Sequence, residues 1–395
     1  MPAPADLARH YSRFAVAERL LLSGHSHQAW PDVAADGQAE AFADAAREVD
    51  GKWERAFAKA EEVREGFRRA LEDPGGELAL GANTHELVLR FLSALALRER
   101  PRLVSTDGEF HSLRRQLARL GEERLEVVRV ASAPAGTLAE RLAAEVDERT
   151  SAVLVSSVLF ETSSIVPGLG DLAAACERAG AELLVDAYHA LGNMPFPLHE
   201  LGLGGAWVTG GGYKYLQLGE GNCFLRVPAH ADELRPAITG WYAEFATLEA
   251  AAGSEVAYPR GAMRYAGSTY DPTSHYRAAR VLAFFEQHGM TAAALRDRYR
   301  RQVALLADRF DALDAPEEVI TRDRSAGPDD LGGFLALEAP NAPALQRALT
   351  ERGVMSDSRG RYLRLGPAPY LNDAQLVAAV DALGDTLRAG VTPVA

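Results

Sequence analysis

Lysine is nearly missing from this chain. Of 42 basic side chains in 395 residues only three are lysine, Lys52, Lys59 and Lys214; arginine supplies the rest. Cysteine occurs twice, at Cys176 and Cys223. That is too few for a disulfide framework or a cysteine-built zinc site, so no metal is expected and a reducing, cytoplasmic setting is. Positive charge is in deficit, with a formal net charge of −13, which argues against a nucleic-acid or anionic-membrane surface. No apolar run is long enough to span a bilayer, and the N-terminal MPAPADLARHYSRF lacks the basic-then-apolar pattern of a signal peptide. Internal repeats and low-complexity stretches are also absent. What remains is an ordinary globular composition, 47% hydrophobic and 25% charged. Its length exceeds that of one typical core, so two domains or one large α/β unit are expected.

Between about residues 78 and 228, short Val- and Leu-rich runs alternate with amphipathic helical stretches. ELAL, RLVST, LEVVRV, SAVLVSSVLF, ELLVDAYH, GAWVTGG and CFLRVP read as strands; HELVLRFLSALALRER, HSLRRQLARLG and GDLAAACERAGA read as helices. Such alternation predicts an α/β fold with a mainly parallel sheet flanked by helices. After residue 270 the pattern changes to two helices broken at His288-Gly289, then EEVITR, GGFLALEA, VMSD and YLRLG as short strands mixed with helices. That reads as a smaller C-terminal α+β unit.

The scarcity of lysine makes each one informative. Lys52 and Lys59 lie in DGKWERAFAKAEE, a solvated helical face by pattern, whereas Lys214 lies among apolar, aromatic and glycine neighbours in AWVTGGGYKYLQLGEG. An amine can lose its proton and form a Schiff base with a carbonyl; a guanidinium cannot. Upstream, ELLVDAYH ends a strand at Asp186, with His189 three residues on. A carboxylate at a strand end either caps a turn or meets a buried partner such as a protonated pyridine nitrogen. Adjacent parallel strands would bring Asp186 and Lys214 to one sheet edge. Asn83 and Thr84, in GANTHELVLRF, precede a helix; either can cap it, and the helix start is also an anion site. Phe110 follows the strand RLVST, where side chains of open α/β sheets reach ligands, although taken by itself it reads as a core residue. A helix N-terminus, an aromatic plane, a carboxylate and an amine in this order are the set that pyridoxal 5'-phosphate requires.

The stretch VDAYHALGNMPFPLHELGLGGAWVTGGGYKYLQLGEG carries a resemblance in its Asp-x-x-His-Ala-x-Gly-Asn, Leu-His-Glu-Leu-Gly and Tyr-Lys-Tyr-Leu motifs. They are similar to those of the class V aminotransferase group of fold-type-I pyridoxal-phosphate enzymes, and most resemble kynureninases. The resemblance implies a Schiff-base role for Lys214, a ring-nitrogen partner in Asp186 with His189 beside it, phosphate contacts from Tyr213 and Thr84, and ring stacking by Phe110. Trp241, in ITGWYAEF, matches a Gly-Trp near the phosphate, from the same or a partner subunit. ERGVMSDSRGRYLRLGPAPYLND matches a C-terminal motif in which Arg364 grips the substrate carboxylate, supported by Arg359. The implied organisation is an N-terminal arm (1–40), a large cofactor domain (41–268) and a small domain (269–395), in a homodimer acting on a small amino acid.

Three segments depart from the kynureninase pattern. DGKWERAF has no counterpart of the family's substrate-reading histidine, and RYAGSTYDP puts Gly267 where an asparagine is expected. The latter resembles instead a Gly-Thr stretch whose Thr269 would reach a phosphate across the dimer. LSGHSHQAWP replaces a Gly-Asn-Ser-Leu-Gly segment, and its His25 and His27 are candidates for the substrate entrance. Hydrolysis of kynurenine or a related amino acid, transamination and another lyase reaction all follow from such a site, with Lys214 and Tyr213 as the proton-handling pair. Persulfide chemistry needs a cysteine in the VMSDSRGRYLRLG region, which has none. A non-catalytic relative fits poorly with a retained Lys214 and Asp186, and no P-loop or dinucleotide fingerprint is present.

Overall fold

Alternating side chains along the central strands feed two separate cores. The computed structural model describes residues 1–248 and 255–390. Its strands are β1 (Leu20–Leu21), β2 (Glu77–Gly81), β3 (Arg102–Thr106), β4 (Glu126–Val130), β5 (Thr150–Ser156), β6 (Glu182–Asp186), β7 (Trp207–Gly211), β8 (Cys223–Val227), β9 (Leu335–Glu338), β10 (Val354–Met355), β11 (Asp357–Arg359) and β12 (Tyr362–Leu365). Ala152 and Leu154 of β5, Leu184 of β6 and Trp207 of β7 pack with the helix Thr84–Ala94 on one face. Val153, Val155, Val185 and Val208 point the other way, into the larger core. Period-two alternation with both faces apolar is what a sheet covered by helices on both sides demands.

The seven-stranded sheet has the order β2-β8-β7-β6-β5-β3-β4. All neighbours are parallel except β8, which runs antiparallel to both β2 and β7. The α/β class and mainly parallel sheet expected from the sequence are therefore observed. Because β2 shares the direction of β7, the carboxyl ends of β2, β3, β5, β6 and β7 all meet at one edge, the place where open α/β sheets bind ligands.

The C-terminal part carries the antiparallel sheet β11-β12-β9. β1 pairs in parallel with β10, tying the N-terminal segment to residues 354–355. The two helices after residue 270 are Thr273–Gln287 and Ala292–Asp311, separated where the sequence predicts. Three local expectations fail. EEVITR forms a turn with one bridge, Thr321 to Glu338, rather than a strand; four of its six residues are charged or polar, which leaves it no continuous apolar face. The helix expected through residue 100 ends at Ala94, because Leu95 is extended. SAVLVSSVLF leaves the sheet after Ser156, whose N–H is taken by the Glu109 carboxylate. Among the described residues no helix is long and apolar enough to cross a membrane. Residues 391–395, at the end of the expected small domain, lie outside the described residues.

Candidate active site

Two adjacent parallel strands supply the central pair. β6 ends at Asp186, which registers against Thr209 of β7, and Lys214 follows β7 by three residues. Gly211 makes this turn possible: a Cβ there would lie 2.4 Å from the Tyr188 hydroxyl and 2.6 Å from Cys223 Sγ. A cavity of about 230 Å³ opens at this edge, lined among others by Asn83, Thr84, Phe110, Asp186, His189 and Lys214. The structure thus brings these six sequence-predicted residues, and Tyr213, to one cavity.

Lys214 is buried, its Nζ 2.6 Å from His189 Nε2 and 4.8 Å and 5.5 Å from the ring centres of Tyr188 and Phe110. Desolvation lowers its pKa to about 7, against the opposing pull of Asp186. His189 is held neutral by burial and by the Lys214 charge, and its Nδ1 has no partner among the described residues. Asp186 accepts one hydrogen bond, from the Tyr188 N–H at 2.9 Å. Burial raises its pKa, and that bond and Lys214 only partly counter the shift. A carboxylate so poorly satisfied at a cavity floor suits a protonated ring nitrogen.

Asn83 is the helix cap: its side chain accepts from the Glu86 N–H at 3.0 Å and donates to the Glu86 carboxylate at 2.9 Å. Thr84 opens the helix Thr84–Ala94, whose start faces the cavity. Phe110 closes a side of the cavity and meets Phe160 edge-on at 5.4 Å. Tyr213 is half-buried, with its hydroxyl pushed up to about 12 by burial, so it keeps its proton through neutral pH.

The remaining candidates lie farther out. His27 is exposed and stacks on Tyr213 at 5.0 Å. His25, expected at the entrance, is instead fully buried and stacked on Phe334 at 4.4 Å, because β1 pairs with β10 and Ser23 bridges to Gly366. Arg364 is buried behind the cavity wall: Nη1 donates to the Phe160 carbonyl and Nη2 to Asp357. Trp241 is exposed and stacks on Phe245 at 5.1 Å, outside the small cavity. Thr269 lines a second, larger cavity of about 1040 Å³ that shares Ala82, Glu220 and Gly221 with the first. Neither residue reaches Lys214 within one chain.

Sequence reasoning missed Glu109, Tyr188, Phe160 and Asp357. Glu109 is buried and accepts from Thr106 Oγ1 at 2.7 Å, Ser156 Oγ at 2.6 Å and Ser156 N–H at 3.2 Å. Burial raises its pKa to about 7. A charged residue directly after a strand, beside Phe110, was the available signal. Cys176 and Cys223 are both buried with thiols pushed up to about 12 by desolvation, although Cys223 does line the cavity.

No protein-family model matches the chain. The uncharacterized aminotransferase YcbU of Bacillus subtilis is 23% identical over 330 residues, 83% of this chain and 84% of its own length. A kynureninase of Xanthomonas euvesicatoria pv. vesicatoria is 28% identical over 335 residues, 78% of this chain and 76% of its own. Among solved structures, the apo cysteine desulfurase of Thermococcus onnurineus NA1 superposes with a TM-score of 0.81 at 16% identity, covering 98% of this chain and 99% of that one. A mutant of C-DES with glycine covalently linked to its PLP cofactor gives a TM-score of 0.81 at 14% identity, covering 95% and 98%. The chain resembles the class V aminotransferase group of fold-type-I enzymes, with kynureninases among its sequence relatives, as its motifs led us to expect.

Proposed function

We propose that this protein is a pyridoxal 5'-phosphate enzyme acting on an α-amino acid, and that its reaction is hydrolytic Cβ–Cγ cleavage of kynurenine or a close analogue. The observation that carries the cofactor reading is a buried amine with a pKa near 7 and an under-satisfied carboxylate at one cavity. The residues present fit the group. Lys214 would hold its aldehyde carbon and Asp186 its ring nitrogen, with His189 beside them. Phe110 would cover a ring face, and the helix start at Asn83 and Thr84, with Tyr213, would hold the phosphate. When bound, the cofactor supplies an electrophile for the substrate amine and an electron sink for charge developing at Cα.

The chain's own groups divide the remaining work. Lys214, its pKa lowered to about 7 by burial, would take the Cα proton. Asp186 would hold a proton on the ring nitrogen by charge. Tyr213, protonated at neutral pH, donates rather than accepts when the substrate carbonyl is attacked by water. Arg364 takes the substrate carboxylate, with Arg359 in support. Persulfide formation lacks a nucleophile: neither cysteine ionises near neutral pH, and residues 354–366 hold none.

Likeness to kynureninases supports hydrolysis. Transamination, or another lyase reaction of this group, is the second reading. It is favoured by the likeness to an uncharacterized aminotransferase and by Gly267 and the histidine-free DGKWERAF, which differ where kynureninases read their substrate. We take the assembly to be a homodimer in the cytoplasm, with Trp241 and Thr269 serving the partner's phosphate site. The test is incubation of the cofactor-loaded protein with L-kynurenine. Release of alanine supports hydrolysis; a keto acid in its place identifies transamination.

A further inference from the structure

Strand register sets one largely buried ion pair beside the site. Asp357 of β11 sits opposite Arg364 of β12 in the antiparallel pair, so the two side chains share a face. Arg364 is almost completely buried, its guanidinium 6.0 Å and 5.7 Å from the ring centres of Phe160 and Phe334. Its Nη1 serves the Phe160 carbonyl, its Nη2 serves Asp357 Oδ2, and Nε has no partner among the described residues. The group proposed to receive a substrate carboxylate thus already holds one. Asp357 Oδ1 accepts in turn from Arg359 Nη1 at 2.6 Å.

A third residue faces the same carboxylate. His25 Nε2 lies 3.8 Å from Asp357 Oδ2, too far for a hydrogen bond, and both ring nitrogens are buried without one. The ring is fixed between Phe334 and Gly366, where a Cβ would lie 2.1 Å from Nδ1. Burial keeps His25 neutral, reinforced by the charges of Arg364, Lys214 and Arg359, while Asp357 spends its charge on the two arginines.

We propose that Asp357 is a stand-in for the substrate carboxylate on Arg364, and that an arriving carboxylate displaces it toward His25, which takes up one proton from solvent. Two carboxylates on Arg364 repel each other, and His25 offers an unpaired ring nitrogen 3.8 Å from Asp357 Oδ2. The incoming charge also screens Arg364, the strongest of the cations opposing protonation of the imidazole. This inference rests on the reading of Arg364 as the carboxylate site. Its consequence is that ligand affinity falls as pH rises, by up to about tenfold per unit, between the pKa of His25 in the free state and that in the bound state, and levels off above the latter.

The test is calorimetric titration of the cofactor-loaded, full-length protein with 3-phenylpropanoate, a carboxylate without an amine to react. Runs in phosphate and in Tris at one pH, whose protonation heats differ, count the protons taken up. The expected result is close to one proton per ligand for the wild type and close to none for His25→Gln and Asp357→Asn, with Asp357→Asn binding more tightly than wild type. Binding that needs Arg364 but gives equal heats in both buffers overturns the displacement while leaving the site reading intact. Binding that survives Arg364→Ala, or no binding by the wild type, overturns both.

Discussion

The amine of Lys214 lies 2.6 Å from Nε2 of His189, and both side chains are buried. Two bases in contact away from water compete for one proton. Desolvation penalises the charged form of each, and the Lys214 charge further opposes protonation of His189. The arrangement leaves Lys214 able to act as a nucleophile near neutral pH, at a cost in stability to the empty protein.

Lys214→Met should therefore separate function from stability. We expect turnover to fall on the order of a thousand-fold or more, with loss of covalent cofactor retention after borohydride treatment. The cofactor-free variant should melt higher than the cofactor-free wild type, by roughly 1–2 kcal/mol. The sign follows from linkage: below pH 10.5 the unfolded lysine is protonated, and the folded one loses its proton down to about pH 7. Wild-type stability then rises with pH across that window, and the variant's does not. Melting curves of both proteins from pH 6 to 9 check this.

Arg364→Ala removes the proposed carboxylate grip and leaves Asp357 buried with less compensation. KM should rise by about a hundredfold with the cofactor still bound, and stability should fall by about 3 kcal/mol. Arg364→Lys should restore part of the stability but little of the affinity, because a single ammonium cannot reproduce the paired contacts to Phe160 and Asp357. Steady-state kinetics with urea denaturation distinguishes the two effects.

Glu109→Gln tests a buried acid that the proposed chemistry does not use. Its folded pKa of about 7 lies above the usual 4.5. The stabilisation it contributes is complete below pH 4.5 and is lost as pH rises through about 7. The melting temperature of the wild type relative to Glu109→Gln should fall across that interval. A flat difference from pH 4.5 to 8 would show that Glu109 does not titrate there.

Ile238, Trp241 and Phe245 expose their side chains close to the larger cavity. If they meet a second copy, Phe245→Glu should shift the protein from dimer to monomer in sedimentation equilibrium. Activity should fall with the loss of dimer, because Thr269 reaches no cofactor site within its own chain. A wild type that sediments as a monomer removes the proposed cross-subunit role of Trp241 and Thr269.

The sequence by itself determined the sheet and the reactive pair. Strands β2 to β8 carry apolar runs that only a helix-covered sheet can bury, and a parallel sheet sends Asp186 and Lys214 to the same edge. The rarity of lysine then singled out the one amine among apolar neighbours. Tertiary structure decided the rest. Nothing local marks His25 as buried, since its place depends on β1 pairing with β10 more than three hundred residues away. Nor does local sequence show that Arg364 is already occupied, because Asp357 reaches it only through hairpin register. Periodicity reports which face of an element is apolar; which charges that face meets is set by long-range packing, where low dielectric turns small displacements into large changes in proton affinity.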